Sequence, residues 1–500
     1  MPNPRASVLI LGCAFLAGCG DEKSGERPDT SEWPVTLAET DGTPWAFERV
    51  VLVTLDTLRA DHVSCYGYRR ATTPFLDSLA ARGALFENTL ASISHTAPSH
   101  ATMLTGLVPA AHGVLNNGDE LAPQALDLAR LFRGHAYETA ASLNVQFLSG
   151  ITGGFETVRV NAIGEQEGRR IVLNGKYVVD AALDWAKHER KSERFFLWVH
   201  LYDPHRWKDL VLGTNPDVPL WKGATPDDFL PYVARMHGVP EPEPGRFAFA
   251  WNAETRAGES IDTSSPEAFL RCIDAYDTEI LFTDHQVERL YRELDALGLP
   301  GRTLWIVTSD HGEGLASHGV AGHGSRIYQE QLRVPLVIHA SDGSIAPRRF
   351  EPLVGHVDLF ATLADSLAED VTGPPGVYDG RSLWPLMTNP EFAWPERALF
   401  AQRRPPEGPD DPETAHVFAL QDRAHKYILH EPGDDEFFDL GRDPRELESL
   451  VGRGGTPEAE LRAALEARLG TLRAFAESRV SGAESEVPEE WVKELKELGY

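Results

Sequence analysis

The sequence predicts an α/β fold: a large mixed, mainly parallel sheet flanked by helices, followed by a small α+β subdomain at the carboxyl end. Three observations lead there. Four short, continuous apolar runs read as strands buried on both faces: "RVVLVTL" ending at Leu55, "RFFLWVHL" ending at Leu201, "RTLWIVT" ending at Thr308 and "RVPLVIHA" ending at Ala340. Stretches with helical periodicity separate them. Polar residues able to do chemistry follow the runs, at the sheet edge where α/β proteins bind ligands.

In chain order, residues 1–19 carry one Arg, an apolar run from Ala6 to Phe15 and then Leu16-Ala17-Gly18-Cys19. This pattern suggests an export signal rather than a membrane span. Its ending resembles a bacterial lipoprotein box, which implies that Cys19 becomes the lipid-carrying first residue and anchors the protein at a lipid membrane. The expected location is the periplasmic side of a membrane. Gly20 carries no retention signal, which favours the outer one. Residues 20–45 are polar and contain Pro, as expected of a tether. The main domain is expected over 46–393. Within it, "TPFLDSLAARGALF" opens a helix with Thr73 as cap and Pro74 as first residue. Between Arg206 and Ser265 the periodicity dissolves into Pro, Gly, Asp and Trp, which predicts a long insertion near substrate entry. Trp207, Trp221 and Trp251 there either stack on a sugar or anchor the loop. "PEAFLRCIDAYDTEILFTDHQVERLYRELDALGL" keeps a 3.6-residue stripe, and places Asp277, Glu279 and Asp284 on its solvated or helix-pairing face. Residues 394–500 form the carboxyl-terminal subdomain and helical tail.

A formal charge of −29 argues against a nucleic-acid binding surface, because such contacts neutralise phosphates with Lys and Arg. An anionic substrate must then find local positive charge. Besides Cys13 and Cys19, only Cys65 and Cys272 remain, and either one disulfide or two thiols fits.

Candidate chemistry sits at Asp56, at Asp203 and His205, and at Asp310 and His311. Adjacent Asp310 and His311 can face one metal ion if the chain turns sharply, which Gly312 and Gly314 permit. Alone, the pair equally fits a capping Asp beside a surface His. In "SISHTAPSHATMLTGL", Pro98 suits a first helical position and Gly106 a stop. Thr96 thus lies just before a helix amino terminus, where negative charge is favoured. Either Thr96 or Ser99 is only a cap there, or Thr96, beside a divalent cation, is an alkoxide nucleophile.

The segments "VLVTLDTLRADHVSCYGYRRATTPFLDSLAARGALFENTLASISHTAPSHATMLTG", "HLYDPH", "YDTEILFTDHQVERLYRELDALGLPGRTLWIVTSDHGE", "HGSRIYQEQLRVPLVIH" and "FFDLGRDPRE" together resemble the sulfatase family of the alkaline-phosphatase-like superfamily, over about Val50 to Leu450. The resemblance implies that Asp56, Asp310 and His311 bind one divalent metal together with Thr96. It also implies that His205 and His323 touch the transferred group or the leaving oxygen, and that Glu313 orients the metal ligands. His100 stands where the family's arginine would be, and is expected to support the nucleophile. Two departures matter. Thr57 replaces a second acidic residue, so with His311 present manganese or zinc ranks above calcium, and magnesium below. Thr96 occupies the position where family sulfatases oxidise Cys or Ser, so no formylglycine forms.

Threonine lacks the second hydroxyl through which a formylglycine hydrate expels sulfate. The expected function is therefore a metal-dependent hydrolase or transferase of anionic esters, with phosphoesters and phosphodiesters preferred. Sulfate ester hydrolysis is the alternative, and a non-catalytic lipid-anchored binding protein a further one. A second metal on Asp203, His205 and His323 is disfavoured, because their spacing does not match two-zinc phosphodiesterases.

Overall fold

The computed structural model describes residues 33–39, 47–161, 163–166, 169–208, 246–247, 261–262, 266–315, 317–320, 322–405 and 415–479. The expected signal peptide, most of the tether, most of the 206–265 insertion with Trp221 and Trp251, and the end of the tail lie outside the described residues.

Eight strands form the main sheet: β1 (Arg49–Leu55), β2 (Ala84–Leu90), β3 (Glu138–Leu143), β4 (Thr157–Val160), β5 (Phe195–Leu201), β6 (Thr303–Ser309), β7 (Arg333–Ala340) and β8 (Arg348–Gly355). Their order is β8-β2-β7-β6-β1-β5-β3-β4. All neighbours pair in parallel except those flanking β7, which runs antiparallel to both β6 and β2. The four apolar runs are the four central strands β5, β1, β6 and β7. Every residue of β1 and β5 is buried, because helices cover both faces. The strands without such a run, β2, β3, β4 and β8, lie on the flanks. Strand β8, at the edge, exposes Arg348, Arg349 and Glu351 and buries Phe350, Leu353 and Val354.

Six helices carry the argument: α1 (Pro74–Ala80), α2 (Thr96–Thr105), α3 (Gly175–Asp184), α4 (Pro266–Asp295), α5 (Val357–Ser366) and α6 (Gly455–Arg479). The period of two along β1 divides the core. Val50 and Leu52 face a cluster with Ala97 and Ala101 of α2 and Phe360 of α5. Val51 and Val53 face the opposite cluster, with Leu79 of α1, Val178 of α3 and Ile280 of α4.

Helix α4 corrects one expectation. Asp277, Glu279 and Asp284 are buried rather than solvated, because the helix carries polar anchors on the face it turns to the domain. Asp284 accepts from the amides of Phe75 at 2.8 Å and Leu76 at 2.9 Å, and so caps α1. The Thr73 side chain, the expected cap, makes no capping hydrogen bond. Neither Cys65 nor Cys272 is joined in a disulfide.

From Leu399 the chain builds a four-stranded antiparallel sheet: β9 (Leu399–Gln402), β10 (His416–Gln421), β11 (His425–Glu431) and β12 (Glu436–Asp439). Leu461, Leu465, Leu469 and Leu472 of α6 are buried with Tyr427 and Phe437 of that sheet, at the i, i+4 spacing of a helix face. Within this unit Lys426 and Glu446 form a buried ion pair, 2.7 Å apart, and Lys426 donates to the Ile327 carbonyl of the main domain. Glu446 also accepts from the Gln329 amide of the main domain at 2.6 Å. No helix among the described residues is long and apolar enough to cross a membrane.

Candidate active site

Asp56 and Asp310 are the first residues beyond β1 and β6. These strands are parallel neighbours with Leu55 opposite Ser309, so the two carboxylates leave the sheet edge side by side. One ligand atom each from Asp56, Asp310 and His311 lies within 4.8 Å of the others, and all three residues are fully buried. Asp310 Oδ1 accepts from the amides of Thr57 at 3.0 Å and His311 at 2.8 Å. Asp310 Oδ2, both oxygens of Asp56 and the Thr57 hydroxyl are buried without a hydrogen-bond partner, although His200 Nε2 approaches Asp56 Oδ2 to 3.2 Å. Such acceptors are expensive to bury unless something positive meets them. His311 Nδ1 faces the Gly312 carbonyl at 2.9 Å and must donate to it, which leaves the Nε2 lone pair turned towards the carboxylates. Three oxygens and one imidazole nitrogen, buried together, fit a divalent cation.

The electrostatics agree. Burial and then Asp310 push the Asp56 carboxyl well above the usual carboxylate range. Burial also acts on Asp310, but His311, His100 and His200 outweigh it and hold that carboxyl at about 2. Without a cation, the pair therefore binds a proton more tightly at Asp56 than at Asp310.

Gly312 and Gly314 serve close packing rather than the expected turn. A Cβ on Gly312 would lie 2.0 Å from the Glu330 carbonyl oxygen, and one on Gly314 would lie 2.3 Å from that of Val320. The unusual backbone is instead at Thr57, whose φ is 56°.

Thr96 is the first residue of α2 and not its cap; His95 holds the cap position in extended conformation. Pro98 is the third helical residue, and Gly106 ends the helix at φ 71°. The Thr96 hydroxyl lies 3.3 Å from His311 Nε2, which brings it to the metal group. The Ala97 amide is taken by Asn117 Oδ1 at 2.8 Å, and Ser99 Oγ donates to the Asp310 carbonyl at 2.6 Å. His100 does not reach the Thr96 side chain. Its Nδ1 faces the Thr96 carbonyl at 2.8 Å, and its Nε2 faces Thr54 Oγ1 at 2.9 Å. Burial and His200 lower its pKa to about 3, so it is a neutral brace for the first turn of α2.

His323 packs against two other histidines, tilted against His311 with ring centres 4.5 Å apart and edge-on to His205 at 5.0 Å. Glu313 orients this group rather than the metal ligands, because its oxygens are engaged away from them. Its Oε1 faces His323 Nδ1 at 3.4 Å and its Oε2 accepts from Trp207 Nε1 at 3.1 Å. Burial works against ionisation of Glu313, but Lys208 and His323 outweigh it and keep the carboxylate at about 2. Burial and then His323 push the His205 ring well below its usual pKa. Trp207 is buried and ties the root of the insertion to the site. Asp203 belongs to another device. Both its oxygens accept from the Gly175 amide at the start of α3, and the carboxyl, buried, is raised to about 6.

Two residues at the site had no sequence signal of their own. Asn117 is buried, and its side-chain amide nitrogen has no hydrogen-bond partner beside the first turn of α2. His200 is the one ionisable residue inside β5, opposite Thr54 in the register, and only that pairing explains it.

The chain thus carries, at the carboxyl edge of an α/β sheet, a buried Asp–His group that could hold a metal ion. The family model described as Sulfatase matches residues 48–368, and the chain belongs to that family as one of its hydrolases. It is 22% identical to the N-acetylglucosamine-6-O-sulfatase of Bacteroides thetaiotaomicron, over 90% of this chain and 88% of that protein. A protein solved with its substrate D-glucosamine-2-N,6-O-disulfate superposes with a TM-score of 0.65 at 19% identity, covering 87% of this chain and 99% of that one. The phosphonate monoester hydrolase of Agrobacterium radiobacter gives 0.62 at 21%, covering 87% and 96%.

Proposed function

We propose that the protein hydrolyses sulfate esters at this site, with Thr96 Oγ1 as the attacking atom. The observation that carries the reading is the 3.3 Å approach of that hydroxyl to His311 Nε2, inside a group that fits a cation. This reverses the phosphoester preference expected from Thr96 alone, since a sulfatase and a complex with a sulfated sugar stand among the chain's relatives.

Asp56, Asp310, His311 and Thr96 would hold the metal. When bound, a divalent cation supplies positive charge that lowers the proton affinity of the Thr96 hydroxyl and of the ester oxygens around it. Thr96 releases its proton to solvent and its oxygen bonds to sulfur, while the bond from sulfur to the leaving oxygen breaks. His323, steadied by Glu313, hands a proton to that leaving oxygen. Neutral His205 and the Asn117 amide donate to non-bridging oxygens. Water then bonds to sulfur as the bond from sulfur to Thr96 Oγ1 breaks; one of its protons goes to the Thr96 oxygen and the other to His323, and sulfate departs.

A second reading, cleavage of phosphonate or phosphate esters, is favoured by threonine at 96 and by the Asp310-His311 pair. Aryl sulfate, phenylphosphonate and phosphodiester assays on metal-loaded protein and on Thr96→Ala test both. Sulfate turnover lost in Thr96→Ala is expected. Turnover of phosphorus esters alone sinks the first reading, and full activity of Thr96→Ala sinks the nucleophile.

Export and lipid attachment at Cys19 belong to this proposal and rest on residues 1–19 alone. They place the activity on the periplasmic side of a membrane.

A further inference from the structure

Tyr276 of α4 is fully buried and lies outside the catalytic group, yet its hydroxyl grips the loop that leaves β1. It donates to the Thr57 carbonyl at 2.5 Å and accepts from the Arg59 amide at 2.9 Å. Between those two contacts the chain does something costly. Thr57 sits at φ 56°, a left-handed conformation that a β-branched residue adopts only when its surroundings impose it.

That conformation has a consequence on the other side of the loop. It turns the Thr57 amide to Asp310 Oδ1 at 3.0 Å and the Leu58 amide to Ser309 Oγ at 2.9 Å. One oxygen of Asp310 is thereby occupied and the other left bare beside Asp56. Asp277, next to Tyr276, secures the same segment further on. It faces His62 Nδ1 at 2.8 Å and accepts from the Tyr68 hydroxyl at 2.6 Å and Arg70 at 2.7 Å. The Tyr276 ring packs edge-on against His62.

We propose that Tyr276 is a positioning residue for the metal centre: its hydroxyl clamps Thr57 in the left-handed conformation that sets Asp56 and Asp310 to share one ion. Helix α4 thereby supplies order that a second acidic residue at position 57 would otherwise provide by binding the ion directly. The inference rests on the reading of Asp56, Asp310 and His311 as metal ligands.

The test uses the full chain stripped of metal, with Mn²⁺ as probe and titration calorimetry as readout. Tyr276→Phe, which keeps the ring, is expected to weaken Mn²⁺ binding about 10- to 100-fold, the usual effect of losing a group behind a ligand. Thr57→Gly in the Tyr276→Phe background is expected to restore most of the loss, because glycine adopts positive φ without a clamp. A merely structural loss would not be repaired by removing a side chain. Unchanged affinity in Tyr276→Phe, or no restoration by Thr57→Gly, overturns the proposal. Wild type that fails to bind Mn²⁺, or binds it as Asp56→Ala does, overturns the metal reading instead.

Discussion

Replacing Asp56 by Asn separates the cost of the site from its use. In the metal-free protein two fully buried carboxyl groups stand within 4.8 Å of one another. Two charges at that distance repel by about 3 kcal/mol at the effective dielectric constant of about 20 that suits protein interiors. Burial and Asp310 raise the folded pKa of Asp56, so protonation there relieves part of this repulsion. The sign follows. A folded state that holds a proton the unfolded chain has released loses stability as pH rises above the unfolded carboxylate range, and regains it on acidification. Asp56→Asn carries no charge, so the metal-free variant is expected to be more stable than metal-free wild type by about 2–3 kcal/mol near pH 7. The difference should shrink towards pH 4. Added Mn²⁺ or Zn²⁺ at 100-fold over its Kd should raise wild type by about 2.7 kcal/mol and the variant by far less. Thermal and denaturant unfolding across pH 4–8, with and without metal, measure all of this. A metal-free variant less stable than wild type would refute the repulsion argument. An equal gain from metal in both proteins would show that Asp56 is not a ligand.

Asn117→Ala, at the first turn of α2, should lower kcat/KM for the cleaved ester about 10- to 100-fold while the unfolding temperature moves by only a few degrees; steady-state kinetics and a melting curve report the pair. Asp284→Ala leaves the Phe75 and Leu76 amides without their acceptor and should cost about 1–2 kcal/mol in urea unfolding, with metal affinity unchanged. At His318, burial lowers the pKa but the Glu330 carboxylate 2.8 Å away outweighs it, so the folded value is raised. Its contribution, on the order of 1 kcal/mol, is present below the unfolded value near 6.5 and fades as pH rises through the folded one; the stability gap to His318→Asn should close in that direction. In a bacterial host, labelled fatty acid should enter the wild-type chain and not Cys19→Ser.

The central strands and the main ligands were legible because both are local facts. A run such as "FFLWVHL" has to be buried on two sides, and a carboxylate just past such a strand has to lie at the sheet's carboxyl edge. The flanking strands were not legible. Strand β8 opens on two exposed arginines and carries Glu351 in its middle, and β2 carries Glu87 and Asn88 in its middle. The acidic residues of α4 misled for a related reason. Three carboxylates spread over Asp277, Glu279 and Asp284 look like a solvated stripe until their partners, His62, Arg70 and the start of α1, arrive from more than 200 residues away in the chain.

By itself the sequence determined the sheet's core strands, the family, and the meeting of Asp56, Asp310, His311 and Thr96 near one place. The tertiary structure decided how they meet. It made Thr96 the first residue of α2 rather than its cap, turned Glu313 to His323, and brought in Asn117, His200 and Tyr276. The division has a physical cause. Burial and strand polarity act along the chain and leave a periodic record in it, whereas a hydrogen bond such as Tyr276 to Thr57 spans 219 residues and leaves none.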